Sequence, residues 1–346
     1  MAPPISVDVF ADPGLPTRLV DELLEWADTQ DTPYELSVNA KSIPLCPDGT
    51  LNLEEVRGWS REHGTHAAVI VTEIPRRNGA RPTIASLYPA NSLVVISLPA
   101  LGFHDLARRL QRAVLGSLDV VTRSSTTEGP DPEVDFGELH RIDEDGGEGF
   151  YEVASPMLWA GKMRLVLGMV RTNEPLMTAP KLSGALAAAT AAGAFGVFFS
   201  SIWKMADALP PWRLALITLM AIVVMVTWLI FGHRLWERRH HLGSLMEANI
   251  YNASTVVTLL LTVSLLYLVL FLVIFVAAVT VIESSFLAES LGKHGTIRNY
   301  LNIAWLSASM GTVAGAVGSS FDSNVDVRRL THGRRQLMRY PDASTD

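Results

Sequence analysis

Six polar residues stand just past strand-like segments, where parallel α/β sheets bind ligands. They are Asp12, Thr72, Glu73, Arg76, Arg77 and Ser97. In such sheets the ligand crevice lies beyond the carboxyl ends of the strands. The set therefore predicts a binding site for a polar or anionic ligand, or a hydrolase or transferase centre built from four members. Those four are Asp12, Glu73, Arg76 and Ser97. The alternative is that Asp12 and Thr72 only bond turn backbones while the arginines are solvated.

The usual signatures of nucleotide, hydrolase and zinc-protease sites are absent from the sequence. The chain contains no G-x-G-x-x-G, G-x-x-x-x-G-K-[ST], G-x-S-x-G or H-E-x-x-H segment. The nine histidines are scattered, and the pair His104 and Asp105 suits a helix start. Cys46 is the only cysteine, which rules out an intramolecular disulfide and a thiolate metal cluster. We predict no metal site and no cofactor.

The first 125 residues alternate strand and helix patterns. Strand-like segments cover residues 6–10, 34–38, 67–72 and 93–98, and helical spacing follows near Pro16, after Asn52 and over 106–121. The third and fourth strands are nearly continuous apolar runs, which is typical of parallel strands buried on both faces. The alternation predicts an α/β domain with a mainly parallel sheet over residues 1–125.

Two segments connect this domain to the rest of the chain. Residues 126–150 contain nine acidic residues opposed only by Arg141, interspersed with Gly and Pro. This composition predicts an acidic disordered linker, with a docking tail as the alternative. Residues 151–180 form a juxtamembrane segment whose apolar run, 156–170, is too short to span a bilayer and contains Lys162 and Arg164. It predicts an interfacial helix, or alternatively an element of the soluble domain.

Residues 181–321 carry four long stretches without charged side chains. The stretches cover about 182–203, 214–232, 255–282 and 301–321. Each can cross a hydrocarbon layer of about 30 Å, and the third is long enough to require tilt or a protruding end. The prediction is thus an α/β soluble domain followed by an all-α four-helix transmembrane bundle, with a basic tail over residues 322–346.

The orientation of the spans follows from their flanking charges. Twelve Lys and Arg residues flank one side of the predicted bundle and four flank the other. Basic residues are retained on the cytoplasmic side, and the N-terminal residues lack the features of a secretory signal. We therefore predict a multi-pass protein of the cytoplasmic membrane with both termini inside and the lipid bilayer as its surroundings. The net charge of −7 is concentrated in the linker, and no nucleic-acid partner is predicted.

Small residues recur at every fourth position in the first and fourth spans. These positions are Gly184, Ala188, Ala192 and Gly196, then Ser307, Gly311, Gly315 and Ser319. Such rows let helix backbones approach closely in lipid, which predicts tight packing within the chain or a homo-oligomer seam. No ionisable residue lies in the middle of a span. This argues against a transporter and leaves open an oligomeric pore lined by Thr, Ser and Tyr267.

Four short segments resemble those of a family of uncharacterised actinobacterial integral membrane proteins. They are Thr72-Glu-Ile-Pro75, Ser97-Leu-Pro-Ala-Leu-Gly102, Gly168-Met-Val-Arg171 and Leu235-Trp-Glu-Arg238. The resemblance covers most of the chain and implies the architecture and membrane location, but no catalytic residue. The soluble half also resembles the α/β part of archaeal-type metzincins in its strand order and in the strand Ile96-Ser97-Leu98. Its helix Phe103-His-Asp-Leu-Ala-Arg-Arg-Leu110 lacks the zinc-binding motif.

Three functions remain open from the sequence. The leading hypothesis is a non-enzymatic, membrane-anchored module that binds, senses or scaffolds, whose cytoplasmic domain takes a small ligand or an unidentified protein partner. The alternatives are a cytoplasm-facing, membrane-bound hydrolase or transferase acting at the strand ends, and an oligomeric pore or transporter. Whether the crevice at the strand ends is open and polar separates ligand binding from a purely structural role.

Overall fold

The computed structural model forms two compact units, the first ending at Thr172 and the second beginning at Asn173. It describes residues 4–46, 50–79, 81–124, 137–142, 149–155, 158–175, 182–236 and 245–321. The predicted tail, residues 322–346, lies outside the described residues, as does most of the acidic segment. The expected combination of an α/β region and several long apolar helices is confirmed.

The first unit contains eight strands and five helices in its described part. They are β1 (Ile5–Ala11), α1 (Leu15–Asp28), β2 (Tyr34–Ala40), α2 (Leu53–His63), β3 (Ala67–Thr72), β4 (Arg77–Asn78), β5 (Arg81–Tyr88), β6 (Leu93–Ser97), α3 (Leu98–Leu101), α4 (Leu106–Ser124), β7 (Glu138–Ile142), β8 (Phe150–Ala154) and α5 (Leu158–Thr172). Local signals set several of these ends. Helix α2, for example, starts where the Asn52 side chain accepts a hydrogen bond from the Glu55 amide, and it stops at Gly64 in the left-handed conformation.

The sheet is mixed, so the prediction of a mainly parallel sheet is wrong. The strand order is β2-β1-β3-β6-β5-β8-β7, and β4 pairs with β5. Strands β2, β1, β3 and β6 are parallel, whereas β5, β8 and β7 add antiparallel pairs. The connection from β5 to β6 spans only residues 89–92, which is too short for the crossover that a parallel pair requires.

The acidic segment 126–150 contributes a strand within its described part. In β7, Leu139 lies opposite Val153 of β8, and Glu138 forms an ion pair with Arg81. The Arg141 guanidinium also lies over the Tyr151 ring, 5.9 Å from its centroid. These cross-strand contacts stabilise the strand formed by residues 138–142. The polar composition of the segment alone does not indicate a strand. The other eight acidic residues of the segment lie outside the described residues.

Helix α5 belongs to the α/β unit, which corresponds to the alternative prediction for the apolar run 156–170. It packs against α3 and β5, and Leu165, Met169 and Val170 are buried. The closest approach is at Gly168, where an added Cβ would stand 1.9 Å from the Pro99 carbonyl oxygen. The missing side chain therefore allows the apolar face of α5 to lie directly on α3 instead of at a lipid interface.

The second unit is helical throughout its described elements. Its helices are α6 (Ser183–Phe198), α7 (Ser200–Ala208), α8 (Pro211–Gly232), α9 (Leu245–Val281), α10 (Ser284–Leu291) and α11 (Ile297–Gly318). Helices α8, α9 and α11 are long and apolar enough to cross a membrane, and α6 with α7 makes a fourth candidate if counted as one broken span. At 37 residues, α9 is about 55 Å long, so it exceeds the hydrocarbon layer of about 30 Å.

The first predicted span is not one continuous helix. Helices α6 and α7 meet at an angle of 87°. Phe199 between them is extended, and the Trp203 indole nitrogen donates a hydrogen bond to the Gly196 carbonyl oxygen at 2.9 Å. Backbone groups freed by a helix break in an apolar environment need such partners. The indole therefore stabilises a break that hydropathy alone does not reveal.

Helices α6 and α11 pack closely along a row of small residues on α11. All four predicted positions of the fourth span are buried: Ser307, Gly311 and Gly315 on α11, and Ser319 directly after it. A Cβ added to Gly311 would stand 2.4 Å from the Ala189 carbonyl oxygen, and one on Gly315 would stand 2.9 Å from that of Ala185. This face of α11 is therefore filled by a helix of the same chain.

On α6 the buried row is shifted by one residue from the predicted one. Ala185, Ala189 and Gly193 are buried, while Gly184, Ala188 and Ala192 are half-buried. Of the predicted positions only Gly196 is buried, against Ser307. Both rows repeat every fourth residue, so spacing identifies the stripe but not which of two adjacent rows faces the neighbouring helix.

Candidate functional site

Three polar and apolar segments, which begin at Thr72, Ser97 and Gly168, meet near the carboxyl ends of β3 and β6. Ser97, at the end of β6, donates its hydroxyl hydrogen to the Ile74 carbonyl oxygen at 2.9 Å and accepts a hydrogen bond from the Arg76 amide at 3.2 Å. Gly168 of α5 contacts Pro99 in α3, directly after Ser97. The segments that begin at Thr72, Ser97 and Gly168 thus form one packed edge of the sheet.

Asp12 is the central carboxylate of this edge and is fully buried. Its Oδ2 accepts hydrogen bonds from the Thr72 hydroxyl at 2.6 Å and the Glu73 amide at 3.3 Å. Its Oδ1 accepts one from the Ile43 amide at 3.5 Å. The Thr72 hydroxyl in turn accepts a hydrogen bond from the Ile74 amide at 3.1 Å. One carboxylate therefore holds together the turns that follow β1, β2 and β3.

The predicted site residues are brought together, but their oxygens mostly face backbone groups. Asp12, Thr72 and Ser97 use their side chains to bond main-chain or neighbouring polar groups, and Glu73 is buried beside them. Such bonds satisfy buried polar atoms and stabilise a turn without requiring a ligand. This geometry favours a structural role for the three.

The two predicted arginines occupy different places. Arg76 is half-buried, and its Nη1 atom is buried without a hydrogen-bond partner among the described residues. Arg77 begins the short strand β4, where it lies opposite Pro82 of β5. Arg76 therefore stays at the strand ends, whereas Arg77 is part of a hairpin.

Arg109 and Arg164 are a pair that sequence reasoning missed, and they lie just beyond the end of β6. Both side chains are half-buried, and both contact the position of Gly102. A Cβ added to Gly102 would stand 2.6 Å from Cγ of Arg164 and 3.0 Å from Nη1 of Arg109. Gly102 also has a φ of 97°, which residues with a side chain rarely adopt. This glycine therefore provides the space in which the two arginines meet.

The two guanidinium groups differ in their hydrogen bonding. Nη1 of Arg109 donates to the Leu101 carbonyl oxygen at 2.7 Å. Nε and Nη2 of Arg164 are buried and have no partner among the described residues. The available sequence signal was Arg164 itself, a charged residue within an otherwise apolar run. The prediction of an interfacial helix places this charge among lipid headgroups. It therefore does not indicate that Arg164 lies beside Arg109.

A second polar cluster, formed by Asp8, Ser37, His63 and Thr65, surrounds a buried carboxylate of β1. Asp8 is 2% exposed, and its oxygens lie 2.6 Å from the Ser37 hydroxyl, 2.8 Å from Nδ1 of His63 and 3.1 Å from the Thr65 hydroxyl. Asp8 occupies a polar position in the alternating pattern of β1, which suggests exposure. Because the sheet is covered on that face by α2, the carboxylate is buried and satisfied by its neighbours instead.

Comparison with known proteins adds no assignment to this geometry. Neither family models, curated proteins nor solved structures gave a match to the chain. Within the described ranges, no group of three or more His, Cys, Asp or Glu residues is arranged to hold a metal ion.

Proposed function

We propose that this chain is a membrane-anchored binding module whose α/β unit takes an anionic ligand, a phosphate or carboxylate group, between Arg109 and Arg164. The observation that carries the proposal is the pair of buried nitrogens, Nε and Nη2 of Arg164, that have no partner among the described residues. The helices able to cross a membrane supply the anchor.

The two unpartnered nitrogens of Arg164 suit an oxyanion. Nε–H and an Nη2–H of one guanidinium point in the same direction, so they match two oxygens of a carboxylate or phosphate in a bidentate pair. A buried donor without a partner costs free energy, and a buried charge costs more. An oxyanion bound at this edge would accept both hydrogen bonds and pair with the charge of the guanidinium group.

The electrostatics of the pair favour the same ligand. Burial lowers the pKa of Arg164 below its usual value, and the positive charge of Arg109 lowers it further. No carboxylate among the described residues offsets these effects. A bound anion would counter the repulsion between the two guanidinium groups, which is the condition for charge-assisted binding.

The hydrogen bonds at the strand ends favour binding over catalysis. An enzyme using Ser97 as a nucleophile requires a base near its hydroxyl, but that hydroxyl donates to the Ile74 carbonyl oxygen. Asp12 is committed to Thr72 and to backbone amides. Because these side chains already bond protein groups, the geometry favours a module that binds a ligand without transforming it.

Replacing Arg164 with glutamine is expected to weaken anion binding by about ten- to a hundredfold, because a hydrogen bond to a charged group contributes about 1.5–3 kcal/mol. Full-length protein in neutral detergent would be titrated calorimetrically with inorganic phosphate. The unliganded variant should unfold at the same temperature as the wild type or higher, since Arg164→Gln removes an unpaired, partly buried charge.

A matched control comes from Arg108, which is exposed and adjacent to Arg109 on α4. Arg108→Gln removes the same charge from the protein and should leave phosphate affinity unchanged. Equal affinities of the wild type and Arg164→Gln would refute the proposed site. Reduced affinity together with reduced stability of Arg164→Gln would point instead to a structural role of this arginine.

We also propose that both termini lie in the cytoplasm, which the flanking basic residues support. In a Cys46→Ser background, Ala208→Cys and His294→Cys should react with a membrane-impermeant thiol reagent in intact cells, since both positions are exposed and lie at the same end of the helical unit. Gly243→Cys and Ser344→Cys should react only after the membrane is permeabilised. Labelling of the Ser344 variant in intact cells would contradict the proposed orientation.

A further inference from the structure

A polar cavity opens at one end of the helical unit, where α7 leads into α8 and α10 leads into α11. Its volume is about 620 Å³. The lining residues are Asp207, Ala208, Leu209, Pro210, Pro211, Lys293, His294, Thr296, Arg298, Asn299 and Asn302. This volume falls in the range of roughly 300–1,000 Å³ that small-molecule sites occupy.

The cavity has one carboxylate, and that carboxylate is already bonded by protein groups. Asp207 Oδ1 lies 2.6 Å from Nζ of Lys293 and accepts a hydrogen bond from Nδ2 of Asn299 at 2.8 Å. The Asn299 side-chain oxygen accepts hydrogen bonds from the Thr296 amide and hydroxyl in the cap of α11. Asp207 and Asn299 therefore form the wall of the cavity and leave little capacity for a ligand.

Asn302 differs from these residues because its side chain is largely buried, borders the cavity and bonds no other described residue. It is only 8% exposed, it lines the cavity, and its carboxamide makes no hydrogen bond within the part of the chain that the structure describes. A buried carboxamide without partners is unfavourable unless solvent or a ligand satisfies it. Asn302 therefore offers a donor and an acceptor to whatever enters the cavity.

The charges around Asn302 favour an anionic ligand. Arg298 lies four residues earlier on α11, so both side chains lie on one face of the helix, and Arg298 is exposed at the cavity. His294 and Lys293 line the same space, and the N-terminal end of α11 adds the positive end of a helix dipole. Among the described lining residues the one acidic group is Asp207, and its ion pair with Lys293 leaves Arg298 as the charge that favours an anion.

We propose that this cavity binds a phosphate-type oxyanion, with Arg298 supplying the charge and Asn302 a hydrogen bond from within the cavity. The same chemistry could come from a free phosphate or from the headgroup of an anionic lipid, because this end of the unit adjoins helices able to cross a membrane. The site is separate from the arginine pair of the α/β unit and does not depend on the function proposed for it.

The test uses full-length protein carrying Arg164→Gln, so that the weakened arginine pair contributes little to the signal. In nanodiscs of pure phosphatidylcholine, inorganic phosphate should bind, and Arg298→Gln or Asn302→Leu should each weaken it by about tenfold or more. Lys204→Gln is the matched control. Lys204 is exposed on α7 at the same end but does not line the cavity, so its replacement should change nothing.

A second arm distinguishes the lipid source. In nanodiscs containing phosphatidylglycerol, native mass spectrometry should show retained anionic lipid that Arg298→Gln and Asn302→Leu release, if the headgroup is the ligand. Phosphate binding in the first arm without retained anionic lipid in the second identifies a free oxyanion instead, and either result supports the site. Arg298 is exposed, so Arg298→Gln keeps the test decisive even if Asn302→Leu disturbs folding. If neither phosphate nor lipid binding depends on Arg298, the proposal is overturned.

Discussion

Replacing Gly168 with alanine is expected to weaken the packing of helix α5 on α3. Hydrogen exchange of the α5 amides should then be about thirtyfold faster. The added Cβ would stand 1.9 Å from the Pro99 carbonyl oxygen and 2.7 Å from its carbonyl carbon. Both are main-chain atoms, so no side-chain rotation relieves the overlap. Overpacking of this kind costs about 3 kcal/mol, against which the better helix propensity of alanine offsets about 1 kcal/mol. The net cost of about 2 kcal/mol corresponds to the thirtyfold change.

Hydrogen exchange of the full-length protein, resolved by peptide, measures this effect where it occurs. Gly58→Ala is the matched control, because Gly58 is also a helical glycine of the α/β unit and nothing lies within 4 Å of its added Cβ. That variant should slow exchange in α2 or leave it unchanged. Unchanged exchange of α5 in the Gly168→Ala protein would show that α5 is not held against α3. Since Arg164 lies one turn before Gly168, phosphate affinity should fall in the same variant.

Replacing Gly311 with alanine is expected to lower the unfolding temperature of the helical unit by roughly 5 °C or more. The added Cβ would stand 2.4 Å from the Ala189 carbonyl oxygen on α6 and 3.1 Å from a Leu270 methyl carbon on α9. Helices α6 and α11 must then separate, at an overpacking cost of about 3 kcal/mol, of which the better helix propensity of alanine offsets about 1 kcal/mol. In lipid, close packing of this kind is a main source of helix association.

The comparison for this variant is Gly232→Ala at the end of α8, where the nearest atom to the added Cβ is 3.7 Å away, in ordinary contact. Both proteins would be heated in the same detergent while tryptophan fluorescence is recorded. Equal unfolding temperatures for the two variants would contradict the packing of α11 on α6. Because that face is filled within the chain, a homo-oligomer remains a prediction that needs a different surface.

Only part of the candidate site could be predicted from the sequence. Residues past the strand ends, such as Asp12 and Ser97, could be found because apolar strands are recognisable and their carboxyl ends share one edge. Whether their oxygens face a ligand or a backbone amide depends on turn geometry, which no spacing encodes. Arg109 and Arg164 are 55 positions apart in the chain. Only the packing of α5 on α3, allowed by Gly168 and Gly102, places them together.

The helices able to cross a membrane were predictable because their signal is local: a long apolar stretch without charges can be recognised whatever its neighbours are. The apolar strands β3 and β6 could be identified for the same reason. Strand direction, the burial of α5 and the break at Phe199 depend on partners distant in sequence. Strand β5 is antiparallel because its connection to β6 is short, and α6 bends where the Trp203 indole satisfies the Gly196 carbonyl. The sequence by itself thus determined which segments are apolar, and the tertiary structure decided what each one packs against, because packing depends on contacts between residues far apart in the chain.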